Sequence, residues 1–433
     1  MRLRLGSCVV LVIACLAAGC SSPSGAEQAS GSATPDEPAV SATSSPFAYF
    51  AGNPDFEPLT GATARFGSLG GAAYRIEVPD DWNGDLVVWA HGFHGWGSEL
   101  FPVSPPDALR NAFVREGYAW AASSYSENGW VPGVGANDTL ALKREFGRLV
   151  GTPNRTYIVG QSMGGNAVVL SLEQFPGEYA GGLSLCGAVA GGEWLDYLWS
   201  WALVAEFLAG DAVPRDAASP FDPSRLEALG KPGDLTSSGV AFADVIRNLT
   251  GGPRPFFDEG FANAFEGNFG LATGDPARIT EISRAATTQG VEYRIDPGLG
   301  FDSGEINRGV RRLTGDAELR DVGTHPDSAP TTGLLLAPLL TLHETGDLTV
   351  PVSMEQSYLR KVESAGASRF LVQRLIRSGG HCAFSDGELL RAWEDLRAWV
   401  VSGTRPPGDD VLGDLSDAGR TFTDALRPGE ARD

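Results

Sequence analysis

Gly160-Gln161-Ser162-Met163-Gly164 carries the clearest chemical signal in this chain. It fits G-x-S-x-G, directly after the apolar run Tyr157-Ile158-Val159 and before an apolar stretch from Gly164 to Phe175. That order predicts a strand, a sharp turn and a helix. A serine on such a turn has its hydroxyl exposed at the strand end, and the flanking glycines avoid clashes with the closely packed backbone. The Met163 N–H would then sit at a helix N-terminus, where partial positive charge can stabilise an oxyanion. A neutral serine attacks poorly, so a general base is required. The chain has five histidines, His91, His94, His325, His343 and His381. His381, in Ser378-Gly379-Gly380-His381-Cys382, is placed on a loop between the last strand and the last helix. His91 and His94 follow an earlier strand, His343 ends a strand, and His325 lies outside the strand pattern. The acid that orients the base should come from a neighbouring loop at the same sheet edge. Asp347, in Gly346-Asp347-Leu348-Thr349-Val350-Pro351, meets that condition. Glu344 and Asp327 are rival acids whose places relative to the strand fit less well. The order Ser162, Asp347, His381 is the one expected when a strand–turn–helix serine leads.

These residues need a scaffold that presents several strand ends together. Leu86-Val87-Val88-Trp89-Ala90 is a short, wholly apolar run, as expected of a strand buried on both faces. Ala108 to Glu116 reads as a helix, Ala119 to Tyr125 as a strand, and Thr139 to Val150 as an amphipathic helix. Leu183 to Cys186 is the next strand. The alternation resumes with a strand over Leu334 to Leu342, a helix over Met354 to Val362 and a strand over Phe370 to Ile376. The final helix spans Glu388 to Val401, introduced by the capping-box pair Ser385 and Glu388. Repeated strand–helix units imply a mostly parallel sheet with helices on both faces. Between about 191 and 332 the alternation stops, and a cluster of Trp194, Tyr197, Trp199 and Trp201 opens the segment. A stretch of that length is no loop in a compact domain, so it reads as a mainly helical cap inserted in a core of 47–190 and 333–403. Residues 404–433, charged and rich in Pro and Gly, read as a loosely ordered tail.

On these residues the chain resembles the α/β-hydrolase superfamily, and Gly346-Asp347 followed by Val350-Pro351 resembles the acid loop of its esterase and prolyl-oligopeptidase-like branches. The resemblance implies an α/β-hydrolase fold, a Ser162–His381–Asp347 triad and carboxylic-ester hydrolysis through an acyl-enzyme. It also implies that His91-Gly92-Phe93 ends the third strand of the family pattern. The Phe93 and Met163 amides would then form the oxyanion hole, with His91 as a structural neighbour. A serine peptidase uses the same triad, and a non-catalytic surface binding protein can occupy the same fold. Tannases and feruloyl esterases similarly carry a Cys after the histidine, as Cys382 follows His381 here. Their partner Cys precedes the nucleophile, where this chain has Gln161. Cys186 and Cys382 are therefore read either as a disulfide that pins the histidine loop or as two buried thiols. Activity should rise as the base deprotonates, near the histidine reference pKa of about 6.5.

The formal net charge is −21, from 33 Lys+Arg and 54 Asp+Glu, a balance that argues against nucleic acid as a partner. No zinc, calcium, phosphate-loop or dinucleotide pattern appears, so neither a metal nor a cofactor is expected. The expected partner is a small-molecule ester, apolar or aromatic if the aromatic cluster lines its pocket. Arg2 and Arg4, the apolar run Cys8 to Ala18 and Ala17-Ala18-Gly19-Cys20 resemble a bacterial lipoprotein signal, with Val12 to Cys15 as a competing cleavage box. The reading is a signal peptide over 1–19, lipidation of Cys20 and a flexible tether over 20–46. The protein would then be extracytoplasmic, held to the membrane through its N-terminal lipid alone, or else simply secreted.

Overall fold

The computed structural model describes residues 48–210, 226–273 and 284–425. The expected signal peptide, Cys20 and the tether lie outside these residues. Strands β1 (Ala62–Leu69), β2 (Ala72–Pro79), β3 (Leu86–Ala90), β4 (Ala119–Ser123), β5 (Thr156–Gln161), β6 (Gly181–Leu185), β7 (Leu339–Glu344) and β8 (Leu371–Ile376) form one sheet. Its order is β8-β7-β6-β5-β3-β4-β2-β1. Strand β2 runs antiparallel to both its neighbours, and every other pairing is parallel. The longer helices among the described residues are α1 (Asp107–Arg115), α2 (Pro132–Leu149), α3 (Met163–Gln174), α4 (Glu193–Ala209), α5 (Ser237–Leu249), α6 (Phe257–Thr273), α7 (Ser353–Ser364) and α8 (Asp386–Ser402). This is the α/β-hydrolase architecture.

The two-sided burial of the central strands follows from their sequence. All five residues of β3 are buried. Leu86 and Val88 join the layer that holds Leu140 and Phe146 of α2, Val168 and Leu172 of α3, and Tyr358 of α7. Val87 and Trp89 face the opposite layer, with Phe113 of α1 and Leu389, Trp393 and Leu396 of α8. Period-2 alternation in the strand thus feeds two helical layers at once. The Ser385–Glu388 capping box at the start of α8 is formed as expected.

Helices α4 to α6 lie between β6 and β7 in the chain, and a bridge between Gly191 and Pro330 closes the base of this insertion. Trp201, Phe242, Phe261 and Phe269 pack against one another as its core. Trp194 instead stacks on Trp130, with ring centroids 4.0 Å apart, where the insertion meets the sheet domain.

The helix expected from Thr139 starts at Pro132, and three further local expectations change. The strand expected over Leu334 to Leu342 begins at Leu339; Leu334 and Leu336 are exposed, and Pro338, which has no N–H for the ladder, precedes it. The hairpin of β1 and β2 precedes the first strand expected from sequence. It turns at Gly70 and Gly71, both with positive φ, and β1, the last strand of the sheet, carries only half-buried and exposed residues. Finally, the tail is not loose up to residue 425. Arg405 donates to the Leu371 carbonyl, Arg374 to that of Pro407, and the Asp409 N–H to that of Gln373. Val411, Leu415, Ala418 and Phe422 are buried against the sheet domain. Residues 426–433 lie outside the described residues.

Candidate active site

Ser162 ends the β5 connection and caps α3 with φ 55° and ψ −121°. That backbone is strained for a residue with a Cβ, and the neighbouring glycines make it possible. A Cβ on Gly164 would lie 2.1 Å from the Ala90 carbonyl oxygen, and one on Gly160 would lie 2.5 Å from the Gly164 oxygen. The helix therefore packs its backbone directly on the end of β3. The His91-Gly92-Phe93 turn approaches from the same side: a Cβ on Gly92 would lie 3.2 Å from Ser162 Cβ. Met163, the first residue of α3, has an N–H without an intrahelical acceptor, as at any helix start.

The three residues singled out by the chain order are brought together. His381 Nε2 lies 2.9 Å from Ser162 Oγ, and His381 Nδ1 lies 2.6 Å from Asp347 Oδ2. The Asp347 carboxylate is fully buried, whereas the imidazole is 24% exposed. Its second oxygen, Oδ1, accepts the backbone N–H groups of Thr349 (2.8 Å) and Val350 (3.1 Å). The carboxylate is thereby aimed by its own loop, and its free edge meets the imidazole. With Nδ1–H donated to Asp347, Nε2 is left to accept the serine proton, the arrangement that general-base activation of a hydroxyl requires.

Cys186, the residue after β6, is disulfide-bonded to Cys382, with 5.2 Å between Cα atoms. Of the two readings left open, the disulfide is the one found. Cys186, His381 and Cys382 also bring potential metal ligands within 4.8 Å of one another, but both sulfurs are committed to the bond. Among the described residues, the non-glycine positions with positive φ are Tyr125, Ser162, Cys186, Phe256 and Cys382. Tyr125, Ser162 and Cys186 follow the ends of β4, β5 and β6, and Cys382 follows the histidine. Backbone strain is therefore concentrated around one end of the sheet.

The rival acids have other partners. Asp327 accepts the Gly133 and Val134 N–H groups in the first turn of α2, and burial pushes its carboxyl up to about 6. Glu344 accepts the N–H of Ala383, behind the histidine loop. Burial, with the nearby Asp347 charge, holds its carboxyl well above the usual range. His91 is buried against Tyr125, with rings 3.9 Å apart, and burial lowers it to about 4. His94 is exposed, with its ring 4.5 Å from that of His91.

The acid loop is also held from the insertion. Arg254 Nε donates to the Thr345 carbonyl, the Tyr197 hydroxyl and Asn268 Nδ2 donate to that of Leu348, and Trp194 Nε1 donates to that of Thr349. Asn263 reaches the Gly379 carbonyl in the histidine loop. Arg254 is buried, which lowers its guanidinium to about 10. The aromatic cluster hinted at Trp194 and Tyr197; nothing in the sequence pointed to Arg254, Asn263 or Asn268, whose acceptors are backbone carbonyls.

No protein-family model matches the chain, and no curated protein matches it. Among solved structures, it is similar to an esterase from Aspergillus oryzae (15% identity, 80% of each chain covered, TM-score 0.42). It is also similar to feruloyl esterase B from Aspergillus oryzae (12% identity, 78% of this chain and 80% of that one, TM-score 0.41). The acylaminoacyl peptidase of Pyrococcus horikoshii is 14% identical over 75% of this chain and 38% of its own, with a TM-score of 0.39. Similarities of this size carry no inference about activity, which has to come from the site itself.

Proposed function

We propose that this chain is a serine hydrolase that cleaves carboxylic esters of small molecules. The observation that carries the reading is His381 bridging Ser162 Oγ at 2.9 Å and buried Asp347 Oδ2 at 2.6 Å. Ser162 Oγ attacks the acyl carbon as its proton passes to His381 Nε2, and Asp347 stabilises the imidazolium that forms. The Phe93 and Met163 amides receive the oxyanion, each donor worth about 3 kcal/mol. The imidazolium returns its proton to the leaving alcohol as the carbon–oxygen bond breaks. Water, deprotonated by the same nitrogen, then attacks the acyl-enzyme, releases the carboxylic acid and restores Ser162. The substrate class we propose is an apolar or aromatic ester, on the aromatic cluster of Trp194, Tyr197, Trp199 and Trp201 that opens the insertion. The charged start, apolar run and Ala17-Ala18-Gly19-Cys20 support export and a lipid anchor on Cys20.

The test is intact-mass labelling with a fluorophosphonate, on protein starting near residue 47, with Ser162→Ala alongside. One adduct on the parent and none on the variant is expected. Well-folded parent without an adduct would overturn the reading and favour a binding protein. A panel of acyl esters and aminoacyl amides then separates esterase from peptidase.

A further inference from the structure

Behind Asp347 lies a second histidine with a carboxyl partner. His343, on β7, is fully buried, and its Nε2 lies 2.8 Å from the Val350 carbonyl oxygen and 3.9 Å from Asp347 Oδ2. On the other side of the ring, Nδ1 lies 3.5 Å from Oε1 of Glu355, on the first turn of α7. Glu355 is also fully buried, and neither of these two facing atoms has a hydrogen-bond partner. Buried polar atoms are rarely left so, and a facing pair of orphans calls for a shared proton. The other Glu355 oxygen, Oε2, is used twice: it accepts from Thr341 Oγ1 (2.7 Å) and from Gln373 Nε2 (2.6 Å). Only Oε1 is free to carry a hydrogen.

We propose that Glu355 is a protonated acid that donates from Oε1 to His343 Nδ1, and that this pair positions Asp347. The proton on Oε1 makes Nδ1 the acceptor, which puts the ring hydrogen on Nε2. The Nε2–H then donates to the Val350 carbonyl. Val350 is the residue whose own N–H, with that of Thr349, holds Asp347 Oδ1. A chain of fixed donors and acceptors thus runs from α7 through β7 and the acid loop to the carboxylate that faces His381. Burial pushes the Glu355 carboxyl up, consistent with its carrying the proton.

The charged and titratable groups around this chain act on its two ends. Asp347 feels His381, Glu344 from the end of β7, and Arg254 and Tyr197 from the insertion. Glu355 feels His343 and, from its own helix, the Tyr358 phenol. His343 and Glu355 touch no reacting atom; they are positioning residues, and their role rests on the triad reading above.

Side-chain amides can replace each half of the imidazole. In His343→Gln the amide nitrogen can stand near Nε2 and keep the hydrogen bond to Val350; in His343→Asn it cannot reach. Glu355→Gln can still donate to Nδ1 from its amide while its oxygen serves Thr341 and Gln373, whereas Glu355→Leu can do neither. With an acyl ester that the parent hydrolyses, His343→Asn and Glu355→Leu should lose tenfold or more in kcat with KM little changed. His343→Gln and Glu355→Gln should stay within about threefold of the parent, the level of a preserved hydrogen bond. Folded His343→Asn with parental kcat would overturn the proposal, as would Glu355→Gln as damaged as Glu355→Leu, which would mean a charged pair. If the asparagine or leucine variant fails to fold, nitrogen-15 NMR of the five histidines decides instead, with His343→Gln assigning the signal. An unprotonated Nδ1 with a protonated Nε2 is expected; a protonated Nδ1 overturns the proposal. The NMR result stands even if the parent proves inert towards fluorophosphonate, so failure of the hydrolase reading is seen separately.

Discussion

Replacing Asp347 by asparagine is the perturbation that most directly separates the proposed triad from a mere cluster. The substitution is nearly isosteric, and the new side chain can still offer an oxygen to the Thr349 and Val350 amides that now bind Asp347 Oδ1 at 2.8 and 3.1 Å. The other branch then becomes an NH2 group aimed at His381 Nδ1, where a carboxylate oxygen now sits at 2.6 Å. Two donors cannot face each other, so the imidazole must put its lone pair on Nδ1 and its hydrogen on Nε2. That nitrogen lies 2.9 Å from Ser162 Oγ and would donate to the hydroxyl instead of accepting from it. The ring remains in place but can no longer act as the base. A wrong tautomer of this kind costs about 10⁴-fold in kcat, or about 5 kcal/mol of barrier.

The assay is kcat on an activated acyl ester, together with the second-order rate of fluorophosphonate labelling; both should fall while KM changes little. Glu344→Gln serves as the control. It keeps an oxygen for the Ala383 amide and removes only a carboxyl held well above the usual range by burial beside Asp347. Its effect should be below about tenfold, the scale of one perturbed hydrogen bond. Folded Asp347→Asn with more than a tenth of parental kcat would refute the tautomer argument. If Glu344→Gln were then the crippled variant, the acid would be Glu344.

Two further outcomes follow from the surroundings. His91 is lowered by burial from 6.5 to about 4, so it takes up a proton on unfolding between these values and stability falls as the pH drops through that window. Asp327 is raised by burial from 3.8 to about 6, so it loses a proton on unfolding and stability falls as the pH rises through nearly the same window. Each contribution is about 3 kcal/mol and the two oppose. Denaturant unfolding between pH 4 and 7 should therefore show the parent gaining about 3 kcal/mol on His91→Gln as pH rises, and losing as much against Asp327→Asn; level difference curves would refute both burial arguments. The Cys186–Cys382 bond spans 196 residues of sequence, for which the chain-entropy model gives about 5 kcal/mol. The Cys186→Ala, Cys382→Ala double variant should unfold at clearly lower denaturant and lose more in kcat than in KM, because Cys382 adjoins His381. An unchanged unfolding midpoint would refute the stabilising role.

The serine turn was legible because its glycines answer to physical contacts within a few residues: Gly160 and Gly164 stand where any Cβ would strike the backbone. That Asp347 and His381 would meet Ser162 was legible from chain order and from the strands before them, although β7 starts five residues later than its apolar run suggests. The tail shows a signal passed over. Its polar and Pro-rich composition suggested looseness, yet Val411, Leu415, Ala418 and Phe422 recur at three- and four-residue spacing, and all are buried. What sequence could not offer was the hold of the insertion on the site. Hydrogen bonds from Arg254, Asn263 and Asn268 to backbone carbonyls leave no pattern, since any residue supplies the acceptor.

That hold bears on how the site can be reached. An inserted helical unit beside a serine site invites description as a lid, but α4, α6 and Arg254 send hydrogen bonds to the carbonyls of Thr345, Leu348, Thr349 and Gly379. Close packing adds to this: a Cβ on Gly260 of α6 would lie 1.6 Å from the Gly346 oxygen. Lifting these helices as a body would break five hydrogen bonds, about 5 kcal/mol at a net value near 1 kcal/mol each, and would expose the buried face of the acid loop. The same motion would release the loop that aims Asp347. An enzyme that opened in this way would dismantle its acid at every turnover. On the proposed triad, access to Ser162 must therefore be gained with α4 and α6 seated, and these two helices hold the loops of Asp347 and His381 as much as the sheet does.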